Sequence, residues 1–415
     1  VTMTLFAFIF VLISGLLTLN IYFPVFRVRR LLTASFGFGW LGGELALQLV
    51  ILQGLIGAVL VAGGSFSGLV GLIGIFALFA SWAGLLNIHY QGMALGPVVE
   101  AALTKGLGAN YSQAITSDFA STLQQNPDIP SLLLPFKLDK TGINITTDID
   151  YGHHGLKLDL YRPEGDLSSA PVLMHIHGGA WMYGDKKGQA LPLMHYLAKL
   201  GWVCCSVSYR LSPKASHPDH IVDCKAALAW IKANIGDYGG DPNFIAVTGG
   251  SAGGHLSSLV ALTPNDPQFQ PGFEGADTTV QAAVPFYGVF DWTDADQLQP
   301  SDLLKTLLEG TVVKQPLEAV PEVYSAASPL HRITPEAPPM MVIHGTHDSL
   351  VPVALAAEFS RKLKTISNKP VVYLEVPRAQ HAFDIFASPR SEHTKLGVAR
   401  FLTHRYSVYL ERMDA

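Results

Sequence analysis

The stretch Phe244-Ile245-Ala246-Val247-Thr248-Gly249-Gly250-Ser251-Ala252-Gly253-Gly254-His255 decides the fold class of this chain. An apolar run of strand length passes directly into a glycine-rich turn that holds one serine. A serine on a sharp turn between a strand and a helix projects its hydroxyl beyond the edge of the sheet. The segment therefore predicts a strand over 244–248, a helix over 254–262 and a nucleophilic role for Ser251.

Short apolar runs alternate with helical patterns from residue 141 to 415. Two segments with period-two alternation, Ile145–Tyr151 and Leu156–Tyr161, predict an antiparallel pair of strands. Strands that alternate with helices predict an α/β fold with a mostly parallel sheet covered by helices on both faces. The remaining predicted strands are 171–176, 202–207, 282–287, 340–344 and 371–376, and the remaining helices are 189–200, 221–234, 353–363 and 393–410.

The segment His177-Gly178-Gly179-Ala180-Trp181 comes directly after the predicted strand 171–176. Acyl transfer passes through an oxyanion that needs preorganised N–H donors. Glycines leave their backbone amides free to face such an oxygen. We expect the amides of Gly178, Gly179 and Ala252 to form this oxyanion hole, and the alternative is an ordinary glycine turn after a strand.

Two later motifs supply an acid and a base for Ser251. A serine hydroxyl needs a base, and the base needs an orienting acid. Asp348 follows the strand 340–344 and His381 follows the strand 371–376, which is the order expected after a serine on such a turn. The competing bases are His344 and His347, and the spare acids, expected to be surface or capping groups, are Asp291, Asp294 and Asp384.

Four side chains that flank these motifs are candidates for a substrate pocket, with ordinary core packing as the alternative: Trp181, Met182, Tyr183 and Phe383. His175 and His177 alternate on one strand face and could suggest a metal pair. No third ligand accompanies them, so we predict neither a metal nor a cofactor. Arg210 is expected to tie its loop by an ion pair with Asp219 or Asp223.

Composition separates the N-terminal 95 residues from the rest of the chain. The net charge of −5 comes with no basic stripe, which argues against nucleic-acid binding. Three cysteines, two of them adjacent, favour buried free thiols over a disulfide framework. Residues 1–95 hold only four charged side chains, too few for a wettable surface, although buried helices of a soluble domain are the alternative.

Three apolar stretches, Val1–Phe26, Leu41–Val61 and Phe66–Leu86, are each about as long as a membrane-crossing helix. We therefore predict a multi-pass membrane region over 1–95, with Glu44 at an interface. Positively charged loops favour the cytoplasmic side, so the arginines at 27, 29 and 30 place the loop after the first stretch there. If all three stretches cross the membrane, the catalytic part is then expected to face the cytoplasm. The segment 96–140 is predicted to be a helical linker or a cap over the site, and 292–339 to be a cap insertion in the catalytic domain 141–415.

Five motifs together resemble the α/β-hydrolase superfamily, and more narrowly the bacterial hormone-sensitive-lipase-like esterases. They are HGGAW (177–181), YRLSP (209–213), GGSAGGH (249–255), HGTHDSLVP (344–352) and AQHAFD (379–384). The apolar N-terminal region ahead of them resembles actinobacterial lipase/esterase proteins. The resemblance implies that Ser251 is the nucleophile, that His381 is the general base and acid, and that Asp348 orients it.

Two positions depart from the family patterns HGGG and GDSAGG, because Ala180 and Gly250 stand at the last and second places. The expected substrate is a carboxylic ester, either of a small molecule or of a membrane lipid. HGGAW is also similar to a motif of formamidases, so an amide substrate is the alternative. A deacetylase with the same triad and a non-catalytic membrane interaction protein are further alternatives. The oligomeric state is not predicted.

Overall fold

Runs in which nearly every side chain is apolar become the inner strands of an eight-stranded sheet. The computed structural model describes residues 2–413. Its strands are β1 (Ile143–Asp150), β2 (Lys157–Pro163), β3 (Ala170–Ile176), β4 (Val203–Val207), β5 (Gly240–Gly250), β6 (Ala282–Phe286), β7 (Met340–Gly345) and β8 (Val371–Val376). The strands β3, β4 and β6 are buried along their whole length, as expected for a sheet covered on both faces.

The sheet order is β1-β2-β4-β3-β5-β6-β7-β8. The pairs β1–β2 and β2–β4 are antiparallel, whereas every pair from β4 to β8 is parallel. The eight predicted strands and the predicted antiparallel pair are thus confirmed. Because β5, β7 and β8 are parallel, the segments that follow them all emerge at one edge of the sheet.

Helices cover both faces of this sheet and also form a separate apolar group before it. They are α1 (Thr2–Tyr22), α2 (Arg29–Glu44), α3 (Ala46–Ala62), α4 (Gly68–Met93), α5 (Gly96–Leu107), α6 (Ser117–Thr122), α7 (Ile129–Leu133), α8 (Leu191–Lys199), α9 (Asp219–Asn234), α10 (Ala252–Leu262), α11 (Leu303–Leu307), α12 (Pro321–Ala327), α13 (Val353–Ile366) and α14 (Pro389–Met413). Helices α9, α10 and α13 bury apolar side chains in one core, and α5, α8 and α14 bury theirs in the other.

Helix α5 covers the sheet instead of capping the site. Val99 and Leu103 lie four residues apart on one helix face and are fully buried. A Cβ atom at Gly106 would lie 2.6 Å from a methyl carbon of Val372 in β8, so the helix approaches this strand closely. The first part of the segment 96–140 therefore packs against the edge of the sheet that holds β8.

Helices α1 to α4 carry most of the large apolar side chains that the fold leaves exposed. Helix α1 and the continuous run from α4 to α5 are each long and apolar enough to cross a membrane. Helices α2 and α3 meet at 91°, so together they count as one broken span or a re-entrant loop. The predicted stretch Leu41–Val61 is therefore divided by a break at Leu45.

Glu44 lies beside that break, and it is buried instead of reaching an interface with water. Its carboxylate accepts a hydrogen bond from the Ser388 hydroxyl at 2.7 Å and lies 3.4 Å from the Arg390 guanidinium. A buried carboxylate needs such partners. The position predicted for Glu44 was wrong because its two partners lie more than 340 residues further along the chain.

Candidate active site

Ser251 lies on a strained turn between β5 and α10. Its φ of 58° and ψ of −120° are rare for a residue with a side chain, and its N–H donates to the Phe286 carbonyl at 3.0 Å. A Cβ atom at Gly249 or Gly253 would lie 2.5 or 2.0 Å from the Ile176 carbonyl oxygen. The glycines are therefore required for β3 and the turn to approach each other, and the geometry is that of a nucleophile elbow.

Asp348 and His381 meet at the same edge of the sheet. The Asp348 Oδ2 atom lies 2.6 Å from His381 Nδ1, and Oδ1 accepts hydrogen bonds from the N–H groups of Leu350 at 2.9 Å and Val351 at 2.8 Å. Burial favours the neutral acid, but attraction to His381 and hydrogen bonds from His344 and His381 hold the Asp348 pKa well below its ordinary value. The carboxylate is thus fixed and ionised, as an orienting acid must be.

The competing bases occupy other positions around this pair. His344 lies 3.2 Å from Asp348 Oδ2 and is completely buried, so a substrate cannot reach it. His347 hydrogen-bonds through Nδ1 to the Ile21 carbonyl in α1 at 3.0 Å. Of the three histidines near Asp348, His381 has the geometry that suits a base.

Tyr287 links the serine turn to the histidine. Its ring centroid lies 4.5 Å from that of His381, and a Cβ atom at Gly250 would lie 2.7 Å from its hydroxyl oxygen. Within residues 2–413 the Ser251 hydroxyl makes no hydrogen bond, to His381 or to any other group. Catalytic hydrogen bonds are often long before substrate binds and tighten in the complex.

The Tyr287 hydroxyl also donates a hydrogen bond to Asp384, one of the spare acids. Burial raises the pKa of both groups, so at neutral pH the phenol keeps its proton. Sequence analysis missed Tyr287 because no local motif surrounds it. Its position beside two motifs that lie far apart along the chain would have been visible only in three dimensions.

The loop that follows β3 lies against the serine, since a Cβ atom at Gly178 would be 3.1 Å from Ser251 Cβ. The Gly178 N–H, however, donates to Gln189 Oε1 at 2.7 Å, so this predicted oxyanion donor is already occupied. Gly179 and Ala252 donate no hydrogen bond from their N–H groups to any group in the described part of the chain, and the same holds for Ala180. Ala180 is therefore a donor candidate that sequence analysis missed.

The four predicted pocket side chains divide between core and surface. Trp181 is only 1% exposed and packs edge-on against Trp292 and His255, and Phe383 is fully buried against Tyr287. These two side chains are packed in the core, as in the alternative of ordinary core packing. Met182 is half-buried, and Tyr183 is 66% exposed at the surface.

Three histidines outside the site, His153, His154 and His175, have structural partners. His175 bonds to the Ser206 hydroxyl at 2.9 Å, and burial lowers its pKa to about 3. In the described chain His153, His154 and Asp223 lie close enough together to hold an ion. Both Asp223 oxygens, however, already accept hydrogen bonds from Arg210, which also contacts Asp219. This confirms the expected ion pair and favours a structural role for the cluster.

Known proteins with similar sequences are esterases. The chain is 45% identical over 406 residues to the probable carboxylic ester hydrolase LipM of Mycobacterium tuberculosis, covering 95% of this chain and 92% of that protein. The chain belongs to the α/β-hydrolase esterase family. It is also 46% identical to the esterase LipQ of the same organism, over 65% of this chain and 64% of LipQ. A family model described as BD-FAE matches residues 158–363.

Solved esterase structures share the fold of this esterase. A truncated carbohydrate esterase from gut microbiota superposes with a TM-score of 0.56 at 22% identity, over 65% of this chain and 99% of that one. Esterase 2 of Thermogutta terrifontis superposes with a TM-score of 0.52 at 24% identity, over 65% of this chain and 94% of that one. The match to LipM covers nearly the whole chain and therefore includes most of the apolar N-terminal helices.

Proposed function

We propose that this carboxylesterase is a membrane-anchored serine hydrolase that forms an acyl-enzyme on Ser251. The observation that carries the proposal is the strained backbone of Ser251, at φ 58° and ψ −120°, at the end of β5. Such strain persists only where the surrounding structure requires it, and it is typical of functional residues. The Asp348–His381 pair at 2.6 Å lies at the same edge of the sheet and supplies the base.

In the first step His381 Nε2 takes the Ser251 proton while Oγ bonds to the ester carbonyl carbon. The same proton then passes to the leaving alcohol oxygen as the carbon–oxygen bond breaks. Water attacks the acyl-enzyme with His381 again as base, the bond between the acyl carbon and Oγ breaks, and the proton passes from His381 to Oγ as the carboxylic acid leaves. Asp348 holds the imidazole tautomer in which Nδ1 carries the proton, so Nε2 is free to accept.

The oxyanion formed in each step needs N–H donors in a fixed position. Gly179 and Ala252 are the two predicted donors whose amides make no hydrogen bond within residues 2–413, and Ala180 is the additional candidate. The Gln189 side chain holds the Gly178 amide and so fixes the loop that carries these donors. Gly178 thus acts through the loop's conformation in this proposal.

Labelling by a fluorophosphonate tests the acyl-enzyme directly, because the reagent captures an activated serine. We expect the wild type to be labelled and Ser251→Ala to be unlabelled, with hydrolysis of an aryl ester reduced by at least about 10³-fold. Ser257→Ala is the matched control, since its hydroxyl bonds to the Gly254 carbonyl within α10. Substantial turnover by Ser251→Ala would overturn the assignment of the nucleophile.

The anchoring part of the proposal is supported by α1 and by the 40-residue run from Gly68 to Leu107. An apolar groove of about 550 Å³ lies between α1 and α2, away from Ser251, and its open apolar walls suit lipid. An enzyme held at a bilayer meets lipophilic esters, so these form the proposed substrate class. After extraction of membranes with alkaline carbonate the protein should stay in the pellet, and release into the supernatant would contradict anchoring.

A further inference from the structure

Aromatic side chains from α2 and from two later segments of the chain form a wall that reaches the proposed catalytic histidine. The Phe36 ring of α2 meets the His381 ring edge-on, with 6.1 Å between centroids. Phe36 stacks on Trp40 at 5.6 Å, and Trp40 contacts Phe386, which follows the His381 segment, at 5.6 Å. Phe136 packs against Phe386 from the other side at 5.0 Å. We call these four side chains, Phe36, Trp40, Phe136 and Phe386, the aromatic wall.

Small residues allow α2 to approach this closely. A Cβ atom at Gly39 would lie 3.2 Å from both the Gln380 and Asn20 side-chain nitrogens, which is tighter than nearly all real contacts. Gln380 is the neighbour of His381 and accepts a hydrogen bond from its N–H at 2.9 Å. A glycine at this position therefore lets the helix rest on the segment that carries the base without displacing either side chain.

Polar contacts then hold α2 in place. The Nε atom of Arg390 donates to the carbonyl of Pro377, the residue directly after β8, at 3.0 Å. Its Nη1 atom donates to the Glu44 carboxylate and to the Gly43 carbonyl at the end of α2. Arg390 and Glu44 are both almost fully buried. The end of α2 and the segment before His381 are therefore joined by one buried guanidinium.

The chemistry of the first step tells which part of an ester adjoins this wall. His381 must protonate the leaving alcohol oxygen, so that oxygen has to come within hydrogen-bond reach of Nε2. The carbonyl oxygen instead points to the amides of the loop after β3 and of Ala252. The group attached to the alcohol oxygen consequently lies on the His381 side of the site, and Phe36 is an aromatic side chain that packs on His381.

From this geometry we infer that α2 forms the alcohol-side wall of the substrate site, and that the enzyme favours esters of large apolar alcohols presented at a lipid surface. The inference rests on the proposed serine mechanism. Side chains next to the wall support the lipid surface, because Ile129, Leu133 and Leu134 are each more than half exposed, as is Phe136. These exposed residues give the surface beside Phe136 and the aromatic wall an apolar character.

Two ester series measured with the full-length enzyme in detergent micelles test the inference. One series joins a single short acid to alcohols of increasing apolar size, and the other joins a single aryl alcohol to acids of increasing length. We expect Phe36→Ala to lower kcat/KM for the largest alcohols by about tenfold, to affect the smallest little, and to leave the acyl-length profile unchanged. Phe36→Leu, which keeps apolar bulk, should give an intermediate loss.

Phe38→Ala is the matched control, since Phe38 lies on the same helix but lines the groove toward α1. It should leave both profiles as in the wild type. A Phe36→Ala variant that changes the acyl series, or that changes neither series, overturns the inference. These outcomes differ from failure of the serine mechanism, in which the wild type would not react with a fluorophosphonate and Ser251→Ala would remain active.

Discussion

The catalytic sheet and the N-terminal helices are built from the same apolar residue types but bury them against different surroundings. In β3, β4 and β6 every residue is buried by neighbouring strands and helices. On α1, α3 and α4 the same kinds of side chains point outward and are exposed. Hydrophobic content alone therefore does not define a protein core. A segment packs as protein core where the rest of the chain covers all of its faces. A helix with an uncovered apolar face is suited to a bilayer.

The two regions also differ in how their elements attach to one another. The strands of the sheet are joined by continuous backbone hydrogen bonds, and helices pack on the sheet through many apolar side chains. The N-terminal helices touch through small residues such as Gly42 and through a few polar pairs, of which Thr18 with Ser81 at 2.7 Å is one. Small residues and polar pairs are the usual contacts between helices in lipid. The following predictions test this contrast, beginning in the catalytic region.

The largest effect is expected at Asp348, the acid of the proposed catalytic pair. Asp348→Asn should lower kcat by about 10³-fold or more, because an amide no longer holds the His381 tautomer in which Nε2 accepts a proton. Asp384→Asn is the matched control, since Asp384 bonds to Tyr287 and not to His381. An equal or greater loss in the Asp384 variant would move the acid to that position.

The same carboxylate should make stability depend on pH. Its pKa in the folded enzyme lies below the ordinary value of 3.8, so its stabilising contribution is present above about pH 4 and is lost as the pH falls toward the folded value. The difference in melting temperature between the wild type and Asp348→Asn should therefore shrink as the pH falls below about 4. A difference that stays constant or grows below about pH 4 would contradict an ionised Asp348.

The next effect concerns the ion pair that joins the two regions. Arg390→Met leaves the Glu44 carboxylate buried without its partner and should destabilise the protein by about 3–5 kcal/mol. The double variant Glu44→Leu/Arg390→Met removes both charges and should recover most of that loss. Unfolding in detergent micelles measures both variants. If the double variant is as unstable as the single one, the pair matters through packing instead of charge.

A smaller effect is expected where α1 crosses α2. A Cβ atom at Gly42 would lie 2.9 Å from the side chains of Leu17 and Ile21, so Gly42→Leu should cost about 1–3 kcal/mol through overpacking. Gly37→Leu on the same helix is the control, because nothing lies within 4 Å of its added Cβ. Equal melting temperatures for the two variants would show that the crossing is loose.

The smallest effect is expected at the polar contact between α1 and α4. Thr18→Val removes the hydroxyl that meets Ser81 and keeps the side-chain shape. Interhelical hydrogen bonds in membranes contribute on average about 0.6 kcal/mol, so the loss in unfolding free energy should be of that size. Thr33→Val, at an exposed position on α2, is the control. A loss above about 2 kcal/mol would show that polar contacts dominate the packing of these helices.

The order of elements in the catalytic region was predictable because its signals are local. Each strand is a short apolar run, and the turn at Ser251 shows itself through its glycines. The contacts that make individual residues differ from their predicted roles come from distant parts of the chain. The Gly178 N–H donates a hydrogen bond to Gln189, 11 residues further along the chain. Arg390, which donates to the Glu44 carboxylate, lies 346 residues beyond it. The sequence pattern around Gly178 or Glu44 contains no sign of either contact.

Helix α2 was missed for a different reason. It begins among arginines and contains four glycines, and both features are typical of a loop between spans. Its role follows from tertiary contacts, in which Gly39 rests on Gln380 and Phe36 meets His381. The motifs that predicted Ser251, Asp348 and His381 therefore had no counterpart for the aromatic wall.

The run of helix from Gly68 to Leu107 has a mechanical consequence. Its first half has the length and apolar character of a membrane span, whereas its last turns lie against β8 with Val99 and Leu103 buried. Helix α4 ends at Met93 and α5 begins at Gly96, so only a short turn separates the two helices. A long flexible linker would let an enzyme swing over a lipid surface, whereas this short turn would keep the sheet of the esterase close to the end of α4.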